Sequence, residues 1–195
     1  MLASISPLGE RARGQRFGVT ATAYVIGSVV GATLLGALFG ALGRFTVAGI
    51  GLDLRTAVLA GMAVLAAVVD RRPRRIPSWH RQVNEDWLSH YRGWVYGFGF
   101  GFQLGLGLVT IVTTASVYLM WAAALLSGSV GVGALIGGVF GLARALPVLD
   151  GVRVRDPADL AARVGRLDRW DGIFRTVTVL VEVLVAGALV AAAVI

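Results

Sequence analysis

Polar and apolar positions along this chain are sorted into long blocks, with neither the alternation of a half-buried strand nor the narrow stripe of a soluble helix. From Gly93 to Ala143 there are 51 residues without a charged side chain. At ~1.5 Å per helical residue they make roughly 76 Å of apolar helix, about two crossings of a ~30 Å hydrocarbon core. Phe17 to Gly43 adds 27 uncharged residues, and Thr176 to Ile195 is 20 residues interrupted by Glu182 alone. Thr56 to Val69 has 14 uncharged residues, short of the ~20 a crossing needs. It reaches full length by adding Phe45 to Arg55, with Asp53 and Arg55 near the headgroups; a re-entrant segment is the alternative. The longest run must fold back on itself, at Ser127-Gly128-Ser129-Val130-Gly131. The predicted fold is all-α: a polytopic membrane helix bundle of five transmembrane helices in one domain, covering residues 17–43, 45–69, 93–126, 129–148 and 173–195.

Charge then orients these spans. All 18 basic residues are arginine, and positive residues in short loops are retained on the cytoplasmic side. With the N-terminus inside, 16 of the 18 fall on cytoplasmic segments, including the loops 70–92 and 149–172, and only Arg44 and Arg55 lie outside. The expected topology is N-in and C-out in a bacterial cytoplasmic membrane, with the first span as insertion signal and no cleavable leader. Composition agrees: 56% hydrophobic residues, 15% charged, and a mean hydropathy of +0.76, values suited to a lipid-facing exterior. The pI near 11.2 does not argue for nucleic acid, because the arginines flank apolar spans instead of clustering on a soluble domain. There is no cysteine, which excludes disulfides and thiol redox chemistry by these residues.

Small residues recur at four-residue steps. Gly93, Gly97, Gly101 and Gly105 share one face of the third span, Ser129, Gly133, Gly137 and Gly141 one face of the fourth, and the first has the pairs Gly27 with Gly31 and Gly36 with Gly40. Such stripes let helix backbones approach closely. They predict a tightly packed bundle, with a homodimer face as the alternative use of one stripe. A weak duplication accompanies them. Val19–Tyr24 resembles Thr113–Tyr118, and Leu38–Arg44 resembles Val139–Arg144, a pattern that would form a degenerate inverted repeat.

The third span carries the main clue to function. Gly93 to Leu126 is 34 residues, roughly 50 Å as a continuous helix and too long for an untilted crossing. A break between Gly105 and Thr110 is expected, and a broken helix exposes backbone groups that must line a cavity or meet protein. Gln103, Thr110, Thr113, Thr114 and Ser116 cluster there as candidate substrate-path residues, although threonines and serines in such helices also bond the preceding turn. Glu182, roughly 10 Å beyond Arg175 along its helix, completes the set. A buried carboxyl in a membrane marks either a functional site or a structural ion pair; Arg144 and Arg175 are its candidate partners.

The loop 70–92 alternates arginines with Trp79, Trp87 and Tyr91, as an interfacial belt against anionic lipid or as a docking surface for a membrane-protein partner. Its His80, Glu85, Asp86 and His90 match no metal-binding spacing, and no metal or cofactor is expected. Pro157–Val164 reads as a short amphipathic helix on the membrane surface. No nucleophile, base and oxyanion arrangement can be assembled, so an enzyme is not expected.

The stretch Phe98-Gly99-Phe100-Gly101-Phe102-Gln103-Leu104-Gly105-Leu106-Gly107, then Leu125-Leu126-Ser127-Gly128-Ser129 and Gly141-Leu142-Ala143-Arg144-Ala145-Leu146-Pro147, resembles the fourth and fifth helices of the thiol-electron-conducting membrane family of cytochrome c biogenesis, the DsbD/CcdA type. The resemblance implies two inverted three-helix repeats. It makes the first two spans here the family's second and third helices, leaves out its first, and makes Ile5-Ser6-Pro7-Leu8 a remnant of its Ser-Pro-Cys element. Where the family carries Thr-Pro-Cys, this chain has Val109-Thr110-Ile111-Val112, so thiol exchange does not carry over. Three functional expectations follow. The first is a permease-like protein handling a small solute or ion at the broken third helix. The second is a scaffold or accessory subunit binding a partner through loop 70–92, and the third a redox-pathway partner without thiols of its own.

Overall fold

The computed structural model describes residues 5–72, 87–107, 114–154 and 156–194. These residues form α1 (Pro7–Ala12), α2 (Phe17–Thr46), α3 (Leu52–Asp70), α4 (Trp87–His90), α5 (Gly93–Leu106), α6 (Ser116–Ser127), α7 (Val130–Ala145), α8 (Pro147–Asp150) and α9 (Pro157–Val194), with one 3-10 turn at Gly151–Arg153. Four segments are long and apolar enough to cross a membrane: Phe17–Thr46, Leu52–Asp70, Val130–Asp150 and Arg169–Ala192. The shorter apolar helix α6 and α5 together supply the remaining passage. The protein is thus an all-α, polytopic membrane bundle. Leu65, Leu135 and Leu184 lie on its exterior, where lipid in place of water removes the cost of their exposure.

α2 is the central element, and glycine makes it so. A Cβ added at Gly101 would strike the Tyr24 carbonyl, one at Gly105 the Ser28 carbonyl, and one at Gly97 the Thr20 carbonyl. The partners ascend together, so α5 runs parallel to the first half of α2. On α7 the order reverses: Gly133 faces Gly36, Gly137 faces Ala32 and Gly141 faces Ser28. Helix α7 is therefore antiparallel to α2. Buried Ser28 fastens this seam by donating its hydroxyl to the Gly141 carbonyl at 2.8 Å. Dispersion and short backbone approach replace the hydrophobic effect that lipid cannot supply.

Both ends of the seam are closed by polar groups. At one end Arg55 donates to the carbonyls of Val47 and Ile50, holding the turn between α2 and α3. At the other, Ser6 caps α1 by accepting from the Gly9 N–H at 3.2 Å, with Pro7 following it in the first turn. That places Glu10, fully buried, among three donors: Arg13, the Thr20 hydroxyl and the Tyr96 hydroxyl, at 2.6 Å each. A carboxylate so satisfied ties α1, α2 and α5 together. Gln15 adds a bond from the Gly93 N–H at 3.0 Å.

Helices α3 and α9 pack against each other on the far side of α6. Here one expectation is corrected. Pro157–Val164 is no separate surface helix: α9 is continuous from Pro157 to Val194. No proline follows Pro157 in the sequence, and the i,i+4 pair of Asp171 with Arg175 at 3.0 Å supports the helix across the boundary. Leu38–Arg44 and Val139–Arg144, alike in sequence, both close helices of the antiparallel α2/α7 pair.

Candidate functional site

The third crossing is made in two pieces. Helix α5 stops at Leu106 because Gly107 turns left-handed, φ 65°, and donates its N–H to the Leu104 carbonyl at 3.1 Å. A residue with a Cβ is strained in that conformation. Helix α6 resumes at Ser116 and follows the second half of α2 in the same direction as α5. Phe39 stacks on Trp121 at 5.9 Å, and Gly43 lies against the Leu125 carbonyl. The carbonyl end of one half-helix and the N–H end of the other thus face one gap, where unpaired backbone groups must find partners.

Two carboxyl groups reach the N–H end. Asp70, the last residue of α3, accepts the Ala115 N–H with both oxygens, at 2.8 and 2.9 Å. This places negative charge at the amino end of α6, where the helix dipole favours it. Glu182 on α9 accepts the Ser116 hydroxyl at 2.7 Å through Oε1. Asp70 is 7% exposed and Glu182 2%, and the two carboxyl groups accept from adjacent residues, Ala115 and Ser116. The other bank of the gap carries donors. A Cβ at Gly107 would sit 3.3 Å from Arg144 Nη1 and 3.4 Å from the Trp121 ring. The Trp121 indole nitrogen is buried without a hydrogen-bond partner among the described residues.

The residues marked in the sequence are distributed as follows. Ser116 and Glu182 are brought together by a direct hydrogen bond. Thr114 is half-buried just before α6, its carbonyl accepting from the Val117 N–H. Gln103 is half-buried in the last turn of α5, on the approach to the break. Thr110 and Thr113 lie outside the described residues, as does most of loop 70–92. Trp87, at that loop's end, packs on Phe100 with ring centroids 6.1 Å apart. The ion-pair expectation for Glu182 is corrected. Arg175 lies two turns away on the same helix and bonds Asp171 instead, while Arg144 lies beside Gly107 with its guanidinium over the Phe140 ring at 5.7 Å.

Asp70 is the site residue that sequence reasoning missed. It ends an apolar run and precedes Arg71 and Arg72, a context indistinguishable from an ordinary interfacial aspartate. Glu10 was missed for a similar reason, lying among arginines in a short polar segment. No group of three His, Cys, Asp or Glu side chains able to hold a metal ion occurs among the described residues. What the described residues bring to the interruption is a pair of buried carboxyl acceptors at the amino end of α6, with the Arg144 guanidinium and the Trp121 N–H beside Gly107.

Comparison with known proteins places this geometry in a lineage. The sequence family described as cytochrome C biogenesis protein transmembrane region matches residues 2–154. Methylamine utilization protein MauF of Paracoccus versutus is 33% identical over 150 residues, which cover 74% of this chain and 54% of that protein. The chain therefore spans about half the length of this curated relative. No solved structure matches. The family match contains Asp70, the break and Ser116 but ends before α9, so Glu182 lies outside it.

Proposed function

The chain belongs to the cytochrome c biogenesis protein transmembrane-region family, and from that premise we propose that it is a permease-like protein of the bacterial cytoplasmic membrane, handling a small solute or ion at the break in its third span. One observation carries this reading. Two buried carboxyl groups from different helices, Asp70 and Glu182, converge on the N–H end of a half-helix, and ionisable side chains buried within membrane spans mark ion and proton pathways. A structural ion pair would supply a basic partner to Glu182; here its bonded partner is a serine. Thiol electron transfer does not apply to these residues, which include no cysteine.

The test is flux through vesicles containing the purified protein. An entrapped pH-sensitive dye reports entry of protons or of methylamine, the latter chosen because the relative MauF is named for methylamine utilization. The expected result is protein-dependent flux of at least one probe, abolished by Glu182→Gln with the fold intact. Equal rates in protein-containing and empty vesicles for both probes would favour the second reading, an accessory subunit that engages a partner protein. The observation behind that alternative is the α2 seam, whose backbone contacts leave no passage.

A further inference from the structure

The donors around Asp70 and Glu182 do not suffice for two ionised carboxylates. Asp70 spends both oxygens on a single N–H, that of Ala115. Glu182 Oε1 takes the Ser116 hydroxyl, and Glu182 Oε2 is buried with no donor. Yet the two carboxyl groups lie side by side, accepting from the adjacent residues Ala115 and Ser116. Two ionised carboxylates held side by side, with one buried oxygen lacking any donor, are opposed by both like-charge repulsion and burial.

Among the described residues, no basic side chain bonds either carboxyl. On α9, Arg175 is paired with Asp171. On α3, Arg71 and Arg72 follow Asp70 but are exposed. On α6, the groups next to the pair are the Ser116 hydroxyl and, two residues on, Tyr118, whose ring packs edge-on against Trp121 at 5.3 Å. Arg144 of α7 lies at Gly107, on the opposite bank. A single proton resolves the conflict: bound to Glu182 Oε2 and donated toward Asp70, it removes one negative charge and supplies the missing donor.

We propose that Asp70 and Glu182 form a carboxyl pair holding one proton between them, and that this proton exchanges with water reaching the amino end of α6. The pair stands on its own geometry; only its exchange with solution rests on the reading of the break as the working site.

Infrared difference spectroscopy of the vesicle-embedded protein at neutral pH tests this directly. The expected result is a protonated-carboxyl C=O band in the wild type that shifts in D2O buffer and disappears in both Glu182→Gln and Asp70→Asn. A mutation-free control uses protein grown on side-chain 13C-labelled glutamate, which should move the band, so the test survives any folding defect in the variants. Absence of the band in the wild type, or a band unmoved by labelled glutamate, overturns the pair. A band that moves with the label but is insensitive to D2O overturns the exchange. Failure of flux with the band present would sink the permease reading and leave the pair standing.

Discussion

Two regions of this molecule, both built where helices cross inside the membrane, use opposite means. Along the seam of α2 with α5 and α7, glycine removes side chains so that backbones touch, and the hydrogen bond from Ser28 to the Gly141 carbonyl is complete. At the break in the third span the helix is interrupted, and Glu182 Oε2 and the Trp121 N–H are buried without partners among the described residues. The seam has neither room nor unmet polarity. The break has unmet polarity on both banks. Stability and chemistry are thus separated along one crossing: α5 and α6 meet the same helix α2, and it is at the amino end of α6 that carboxyl groups from α3 and α9 arrive.

This contrast is open to attack at several strengths. The largest effect is expected from Gly101→Val, whose side chain would enter the Tyr24 backbone. It should destabilise the bundle by more than about 3 kcal/mol, read as loss of monodisperse protein or a lower midpoint of unfolding in detergent. Next, Gly107→Ala tests the break itself: strain at φ 65° should cost about 1 kcal/mol. The same substitution in the open at Gly187, where a Cβ meets nothing within 4 Å, should cost nothing measurable. Asp70→Ala strips the Ala115 N–H of its acceptor and should lose about 1–2 kcal/mol, while Asp70→Asn, which keeps an acceptor oxygen, should recover much of that. Ser28→Ala should lose about 0.5–1.5 kcal/mol. Last, Arg175→Ala removes an exposed i,i+4 pair and should change stability by no more than about 0.5 kcal/mol. An Arg175 effect as large as that of Asp70→Ala would mean that the pairing described for Glu182 is wrong.

The seam was legible in the sequence because glycine at four-residue spacing in an apolar helix has few physical uses. Which stripe meets which was not, since every stripe offers the same blank face; only the backbone register shows that Gly101 lies on Tyr24 and Gly137 on Ala32. The break was legible from arithmetic on the length of the third span. Ser116 and Glu182 each stood out, as a hydroxyl beside the break and a carboxyl in an apolar helix, but nothing in their spacing of 66 residues announces contact. Asp70 stayed hidden because chain-end charge beside arginines is common and its significance depends on where α3 ends relative to α6. The continuity of α9 was missed because amphipathic pattern ends near Val164, whereas helix propagation needs only the absence of a breaker.

The absence of native cysteine makes one measurement decisive for the claim that the break, and not the seam, is the working region. Single cysteines at Ser116 and at Ala32, the latter 0% exposed within the seam, should be treated in intact vesicles with a membrane-impermeant, cationic methanethiosulfonate reagent. The account predicts modification of Ser116→Cys from at least one side of the membrane, slowed by a bound small cation, and no modification of Ala32→Cys. A Ser116→Cys protein that resists the reagent from both sides, or an Ala32→Cys protein that reacts as fast, would contradict it.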